Sequence, residues 1–320
     1  MVASGALLGG CGGDGSERTA PHATGTTPPS GPWTWTDRLD QTITLDQAPT
    51  RIAAYADAAV ALINFGIRPV AIFFYSDPER DAAFDGVDLD GIEVVGTAYG
   101  EIDVERLVAT APDLVVTTFY GTDTPTTMYG FKDKTQIETI SRIAPITGIM
   151  QTGSAVEVIK ENEAFVASLG IDVEGGHVAA DRVAFEAASA ALTRAAAGGL
   201  TVVPVYAEDA NLYYAKAGDD PALRMYADLG VRFVPVTGQD YYWQIVSWEN
   251  ADTYSPDVFL YADRDSYTPA QLLDQPTFAS LPAAAAGQLH PWTFKAMDYV
   301  SQAGYMDELA GWLSTDTKVV

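Results

Sequence analysis

Ile102-Asp103-Val104-Glu105 opens a stretch of this chain that closes at Ala111-Pro112-Asp113 and runs directly into Leu114-Val115-Val116. Val246-Ser247-Trp248-Glu249 opens another, closing at Ser255-Pro256-Asp257 before Val258-Phe259-Leu260. In both, the proline lies seven residues after the glutamate, Glu105 to Pro112 and Glu249 to Pro256. The residue before a proline is pushed out of helical geometry, so each stretch reads as a helix halted at Pro-Asp and followed by an apolar strand. That is half of a β-α-β unit, and its recurrence predicts a parallel sheet in each half of the chain and two related lobes.

The surroundings of the two stretches extend this frame. Pro49-Thr50-Arg51-Ile52-Ala53-Ala54 leads into a buried strand, then a helix through Leu62 and Phe65 that stops at Gly66, then a strand over Pro69 to Phe74. Trp33 to Leu45 alternates polar and apolar residues, which predicts a hairpin before the first lobe. Residues 178–197 are alanine-rich, free of proline and glycine, bounded by Gly175-Gly176 and Gly198-Gly199, and carry apolar residues at Val183 and Leu192. A long helix joining the lobes is expected there. The expected division is a lobe over 33–173, the helix over 174–199 and a lobe over 200–320.

A chain of 320 residues is long enough for two such lobes, and 48% hydrophobic with 19% charged residues is a globular composition. The 43 acidic against 18 basic residues give a net charge of -25, which repels phosphate backbones and argues against a nucleic-acid partner. No apolar run reaches the ~20 residues that span a bilayer. A single cysteine, Cys11, excludes an internal disulfide and a thiolate metal cluster.

Leu7-Leu8-Gly9-Gly10-Cys11-Gly12-Gly13-Asp14 resembles the lipobox of bacterial lipoproteins. The resemblance implies lipidation of Cys11 and anchoring to the outer face of the cell membrane. Residues 1–11 are then a lipoprotein signal segment, expected to be truncated because no Lys or Arg precedes its short apolar stretch. Residues 12–32, rich in Gly, Ser, Thr and Pro, read as a tether that includes His22.

Taken in order, Pro49-Thr50-Arg51-Ile52, Leu62 to Val70, Glu105 to Val116, Ile143-Ala144-Pro145, the long helix, Ser247-Trp248-Glu249 and Pro276-Thr277-Phe278 resemble a known family. It is the class III (FecB and BtuF type) periplasmic-binding-protein family, which serves siderophores, haem and cobalamin. The resemblance implies an α/β fold of two Rossmann-like lobes joined by a single long backbone helix, with the ligand in the cleft between them. It further implies a monomeric, non-enzymatic solute-binding component of an ABC importer. One glutamate on each lobe, Glu105 and Glu249, would dock on the permease dimer. Both also suit helix starts, where a carboxylate complements the macrodipole.

Clefts in α/β lobes lie beyond the C-terminal ends of the strands. Residues there include Tyr55 and Asp57, Tyr75, Tyr99 and Tyr120 in the first half, with Tyr206, Tyr214, Tyr242, Trp243, Tyr261, Trp292 and Lys295 in the second. Such aromatics suit a bulky ligand with an apolar rim and outward oxygen atoms, although each would serve equally well in a core. Three consecutive large aromatics, Tyr241-Tyr242-Trp243, are not expected to share one core. Only His177 and His290 lie in folded sequence, so no metal site of protein ligands is expected, and His290 beside Pro291-Trp292 is within reach of a cleft.

Arg106, Arg182, Arg194 and Arg224 fall in predicted helices, leaving Arg142 and Lys295 as the expected cleft cations. So few cations favour a neutral or cationic ferric hydroxamate as ligand over an anionic ferric catecholate, with the iron held by the siderophore and no covalent cofactor. Haem or a corrinoid in the same fold is the alternative. An anchored hydrolase with two catalytic carboxylates is a further one. No Gly-x-Ser-x-Gly and no phosphate-cradling glycine loop is present.

Overall fold

A computed structural model describes residues 30–121 and 127–320. Cys11, His22 and the signal segment lie outside the described residues, as does most of the tether. The first lobe contains β1 (Trp33–Thr36), β2 (Thr42–Leu45), β3 (Ile52–Tyr55), α1 (Ala56–Asn64), β4 (Ala71–Phe74), β5 (Glu93–Thr97), α2 (Val104–Ala109) and β6 (Leu114–Tyr120). It continues with β7 (Thr127–Met128), α3 (Lys134–Ser141), β8 (Ile146–Met150) and α4 (Ala155–Ser168). After α5 (Gly176–Ala196) come β9 (Thr201–Ala207), β10 (Asn211–Ala215), α6 (Pro221–Asp228), β11 (Arg232–Phe233), β12 (Trp243–Ser247) and β13 (Val258–Ala262). The chain closes with α7 (Pro269–Leu273), α8 (Pro276–Ala279), α9 (Pro282–Ala285), β14 (Leu289–Trp292) and α10 (Tyr299–Thr315).

The first sheet runs β5-β4-β3-β6-β7, with β8 also paired to β6, and every pairing is parallel except β6 with β7. Its centre is apolar on both faces, as a sheet between helix layers requires: Ile52, Ala53, Ala54, Leu114, Val115 and Val116 are all buried. The second sheet runs β12-β10-β9-β13-β14, with β11 on β9. Here β9, β11, β13 and β14 are parallel, whereas β10 is antiparallel to both β9 and β12. The link Glu208-Asp209-Ala210 between β9 and β10 is too short for a crossover, so it makes a hairpin. The β1–β2 hairpin sits on α4, with Trp33 and Trp35 set edge-on to Phe165 at 6.5 and 5.1 Å.

The sequence repeat has a clear structural meaning at its Pro-Asp end. Asp113 accepts from the amides of Thr50 (2.8 Å) and Arg51 (2.9 Å) and returns its own amide to Arg51 O (2.8 Å). Asp257 accepts from Thr201 N (2.8 Å) and Thr201 Oγ1 (2.9 Å), and its amide donates to Thr201 O (2.9 Å). Each aspartate thus pins the start of the adjacent parallel strand, β3 in one lobe and β9 in the other.

The helical half of the repeat is not shared. α2 forms from Val104-Glu-Arg-Leu-Val-Ala with Asp103 as N-cap. In the second copy Val246 and Ser247 belong to β12, and only Trp248–Asn250 turns, as one 3-10 turn. Asn250 and Thr253 bond locally in place of a continued helix: Thr253 Oγ1 donates to Asn250 O at 2.6 Å, and Asn250 Nδ2 to Ser247 Oγ at 3.1 Å.

α5 joins the lobes, and α10 packs along it. The buried side of α5 is Val178, Phe185, Ala188, Leu192 and Ala196, while Val183 is 65% exposed. Val183 and Leu192 are nine residues apart, half a turn out of phase at roughly 100° per residue, so they cannot share a face. Lobe-to-lobe bonds add to the spine: Asn162 Nδ2 donates to Met297 O at 2.9 Å, and Asn64 Nδ2 to Asp298 Oδ1 at 3.0 Å.

Candidate binding cleft

A cavity of about 910 Å³ lies between the lobes, within the span of small-molecule sites. The C-terminal ends of β4, β5, β6, β9, β13 and β14 all deliver residues to it, because parallel strands place their following loops at one end of a sheet. Of the residues expected there, Tyr75, Tyr99 and Tyr120 line it from the first lobe, and Tyr206, Tyr242, Trp243, Trp292 and Lys295 from the second.

Four expected residues do not line it. Tyr214 is fully buried, its hydroxyl donating to Ala251 O and its ring edge-on to Tyr254 at 5.0 Å. Alternation along β10 turns Tyr213 instead toward Tyr206 and Trp243, at 5.3 and 6.0 Å. Alternation along β13 likewise sends Tyr261 onto the second core and gives Ala262 to the cavity. Tyr55, the last residue of β3, is fully buried against Phe73, Phe74 and Tyr129. Arg142 is the exposed C-cap of α3, away from the cleft. His290 bonds Asp316 at 2.7 Å and stacks on Trp312 at 4.8 Å, so it too faces away from the cavity.

Tyr241, Tyr242 and Trp243, which are not expected to share one core, all line the cavity. Tyr242 has φ 71°, a conformation that side chains other than glycine rarely adopt, and Trp243 N donates to Tyr241 O at 2.9 Å across it. This is a γ-turn of the strained kind. The strain is held by Tyr242 N on Asp219 Oδ2 (3.1 Å), Tyr242 Oη on Asp220 Oδ2 (2.7 Å) and Lys216 N on Tyr242 O (2.8 Å). The ring lies parallel to Trp292, 6.5 Å away with 9° between planes.

Arg264, two residues past β13, was not among the expected cations. Its Nε and Nη2 donate to both oxygens of Asp81 at 2.7 and 2.8 Å, and Nη1 to Asp57 at 3.2 Å. Both carboxylates belong to the first lobe, so the cluster bridges the cleft. Its guanidinium lies 5.0 Å from Phe74, 5.4 Å from Tyr75 and 4.8 Å from Phe294. Burial, with Asp57, Asp263 and Asp265 nearby, pushes Asp81 up to about 6 although the Ala83 amide opposes the shift. Burial also raises Asp57, against the pull of Arg264. The same rule that found the aromatics, first residues after a strand, also points to Arg264, and Asp220 follows as the N-cap of α6.

The phenols of the cleft are neutral at physiological pH. Burial, then Asp57, raises Tyr120 well above the ordinary value. Burial and Asp220 do the same for Tyr242, and burial raises Tyr99 and Tyr206. The lining is therefore one of aromatic faces with neutral hydroxyl donors.

Glu105 and Glu249 are exposed, each in the first turn that follows the cleft end of its sheet, after β5 and after β12 respectively. Donation from its own turn and from Ser247 holds the Glu249 carboxyl below the ordinary value.

A family model described as periplasmic binding protein matches residues 70–296 of this sequence. The chain belongs to the periplasmic binding protein family. No curated protein matches it in sequence. Among solved structures, this periplasmic binding protein is similar to DesE, a ferric-siderophore receptor protein from Streptomyces coelicolor: 26% identity, a TM-score of 0.80, covering 90% of this chain and 100% of DesE. It shares its fold with the siderophore periplasmic binding protein from the fuscachelin gene cluster of Thermobifida fusca, at 22% identity and TM-score 0.61, covering 83% of this chain and 96% of the other. The petrobactin-binding protein YclQ of Bacillus subtilis has the same fold at 16% identity and TM-score 0.68, covering 89% of this chain and 99% of YclQ. Among the described residues no helix is long and apolar enough to cross a membrane, and no group of three metal-ligating side chains occurs.

Proposed function

We propose that this periplasmic binding protein captures a ferric siderophore, of the hydroxamate type, in its inter-lobe cleft and delivers it to an ABC permease. The observation that carries the reading is the cavity wall of aromatic rings and neutral phenols, in which the one guanidinium lining the cavity among the described residues is already engaged by two carboxylates. Such a wall suits a bulky complex with an apolar rim and uncharged oxygen atoms, with the iron held by its own chelator. The similarity to DesE, a ferric-siderophore receptor protein, supports the same reading. Neutral phenols are poor tyrosinate ligands, which weighs against haem held through a tyrosine.

In this reading Glu105 and Glu249 meet cationic residues of the two permease subunits, one from each lobe. The lobes extend over 33–173 and 200–320 with residues 174–199 between them. The protein acts as a monomer without a catalytic step, held at the outer face of the membrane by lipid on Cys11.

The test is tryptophan fluorescence under titration with ferrioxamine, ferrichrome, ferric enterobactin, haem and cobalamin separately. Saturable quenching by the hydroxamates at submicromolar concentration, about -8 kcal/mol or better, is the expected result. Response only to haem or cobalamin, or to none, defeats the siderophore assignment.

A further inference from the structure

A guanidinium on a cleft wall is the natural anchor for an anionic ligand, since its planar fork pairs with two oxygens at once. Arg264 lines the cavity, yet the edge formed by Nε and Nη2 is taken by Asp81 and Nη1 reaches Asp57. Aromatic rings of Phe74, Tyr75 and Phe294 lie within about 5 Å of its carbon. Only 15% of the side chain is exposed, and the two carboxylates are buried to 5% and 7% exposure. Two carboxylates against one guanidinium leave this cluster net negative. Asp220 and Asp265 against Lys295 leave the rest of the lining net negative too.

Burying two carboxylates beside one arginine is costly where one would neutralise it. A clamp between lobes needs only one of them. The second carries the cluster past neutrality, so that an anionic ligand meets net negative charge where it would seek a cation. We propose that Asp57 and Asp81 mask Arg264, withholding the cleft guanidinium from the ligand, so that the cavity rejects anionic ferric complexes and admits neutral or cationic ones. This inference rests on the siderophore reading of the cleft and names Asp81, which does not line the cavity, as a specificity-determining residue acting through Arg264.

The test is a set of dissociation constants for ferrichrome, neutral, and ferric enterobactin, strongly anionic, read by tryptophan quenching. The proteins are the wild type, Asp81→Asn, Arg264→Gln and the double variant. In Asp81→Asn the ratio of the enterobactin constant to the ferrichrome constant should fall at least tenfold. In the double variant the ratio should return to within threefold of the wild type, because the unmasked group is gone. An unchanged ratio in Asp81→Asn overturns the proposal. So does an equal fall in the double variant, which would show that loss of negative charge alone had acted. Should Asp81→Asn not fold, as judged by its thermal melt, Asp57→Asn carries the same criterion. A wild type that binds no ferric siderophore removes the function reading itself, a result distinct from a wild type that binds ferrichrome with an unresponsive ratio.

Discussion

Replacing Asp257 by alanine tests whether the Pro-Asp pins do the same work in the two lobes. The Asp257 side chain accepts from Thr201 N, Thr201 Oγ1, Val319 N and Val320 N at 2.8, 2.9, 2.8 and 3.1 Å, and the residue is fully buried. Hydrogen bonds to a charged group contribute ~1.5–3 kcal/mol each, and a buried donor left unpaired costs about 1–3. Val319 and Val320 lie at the surface end of the chain and can turn their amides to water, so most of the loss falls on Thr201. The expected cost is about 4 kcal/mol. Asp113 offers the matching control, since its partners are the amides of Thr50 and Arg51 in a more open setting, where water replaces a lost carboxylate. Asp113→Ala should cost about 1 kcal/mol. Guanidinium denaturation followed by tryptophan fluorescence measures both, with the midpoint shift multiplied by the slope. Burial draws the Asp257 carboxyl upward, but the Thr201, Val319 and Val320 donors outweigh it and hold it below 3.8. Its contribution is therefore present above that value and lost as the pH falls through the lower, folded one, and the gap between the variants should close in strong acid. Equal costs for the two variants, or less than about 1 kcal/mol for Asp257→Ala, would refute the reasoning.

Tyr242→Gly should relieve about 1–3 kcal/mol of backbone strain but lose the ring packing on Trp292 and the bond to Asp220, so that no net gain in stability results, while weakening ferric-siderophore binding at least tenfold; thermal melts and fluorescence titration read the two effects separately. Asp298, buried at the N-terminus of α10, is raised to about 7 by burial against the donors Ser301 and Asn64, so its stabilising share is full below 3.8 and lost as pH rises through about 7. Asp298→Asn keeps the cap and should melt higher than the wild type at pH 8, with the gap narrowing through pH 5 and closing below 3.8. Charge reversal at Glu105 and Glu249 together should abolish uptake in cells carrying the variant while its solution affinity stays within twofold, and retained uptake would remove these residues from the docking interface. Gly130→Ala places a Cβ 2.6 Å from the Tyr55 ring and 2.7 Å from Phe73 at a φ of 85°, so it should cost about 2–4 kcal/mol in the same denaturation assay.

The lobes were legible because proline and aspartate act locally. A strand start that needs its amides paired leaves a mark in the sequence at Asp113 and again at Asp257. The second expected helix was not legible, because the spacing of Glu249 and Pro256 says nothing of Asn250 and Thr253, whose side chains bond Ser247 Oγ and Asn250 O. In the cleft, the strand-end rule reached Tyr75, Tyr120 and Trp292. It lost Tyr214 and Tyr261, since a shift of one residue reverses the face and the sequence does not carry the register. The strand-end rule reaches Arg264 as well, but its engagement was not legible, because its partner Asp81 is 183 residues away, a pairing made only when the lobes meet. Tyr242 was expected in the cleft, but its turn was not legible, because a left-handed tyrosine has no signature of its own.

The aromatic turn at 241–243 leads into β12, which among the described residues pairs only with β10 and closes one side of its sheet, with Ile245 48% exposed there. A segment hung from the rim of a sheet can be exchanged without rethreading the interior. Variation between Gly238 and Gln244 can therefore reshape what the protein captures while the spine of α5 and α10 stays as it is. An organism facing a new chelator has a short, replaceable stretch of chain on which selection can act, and a protein engineer has the same one to randomise.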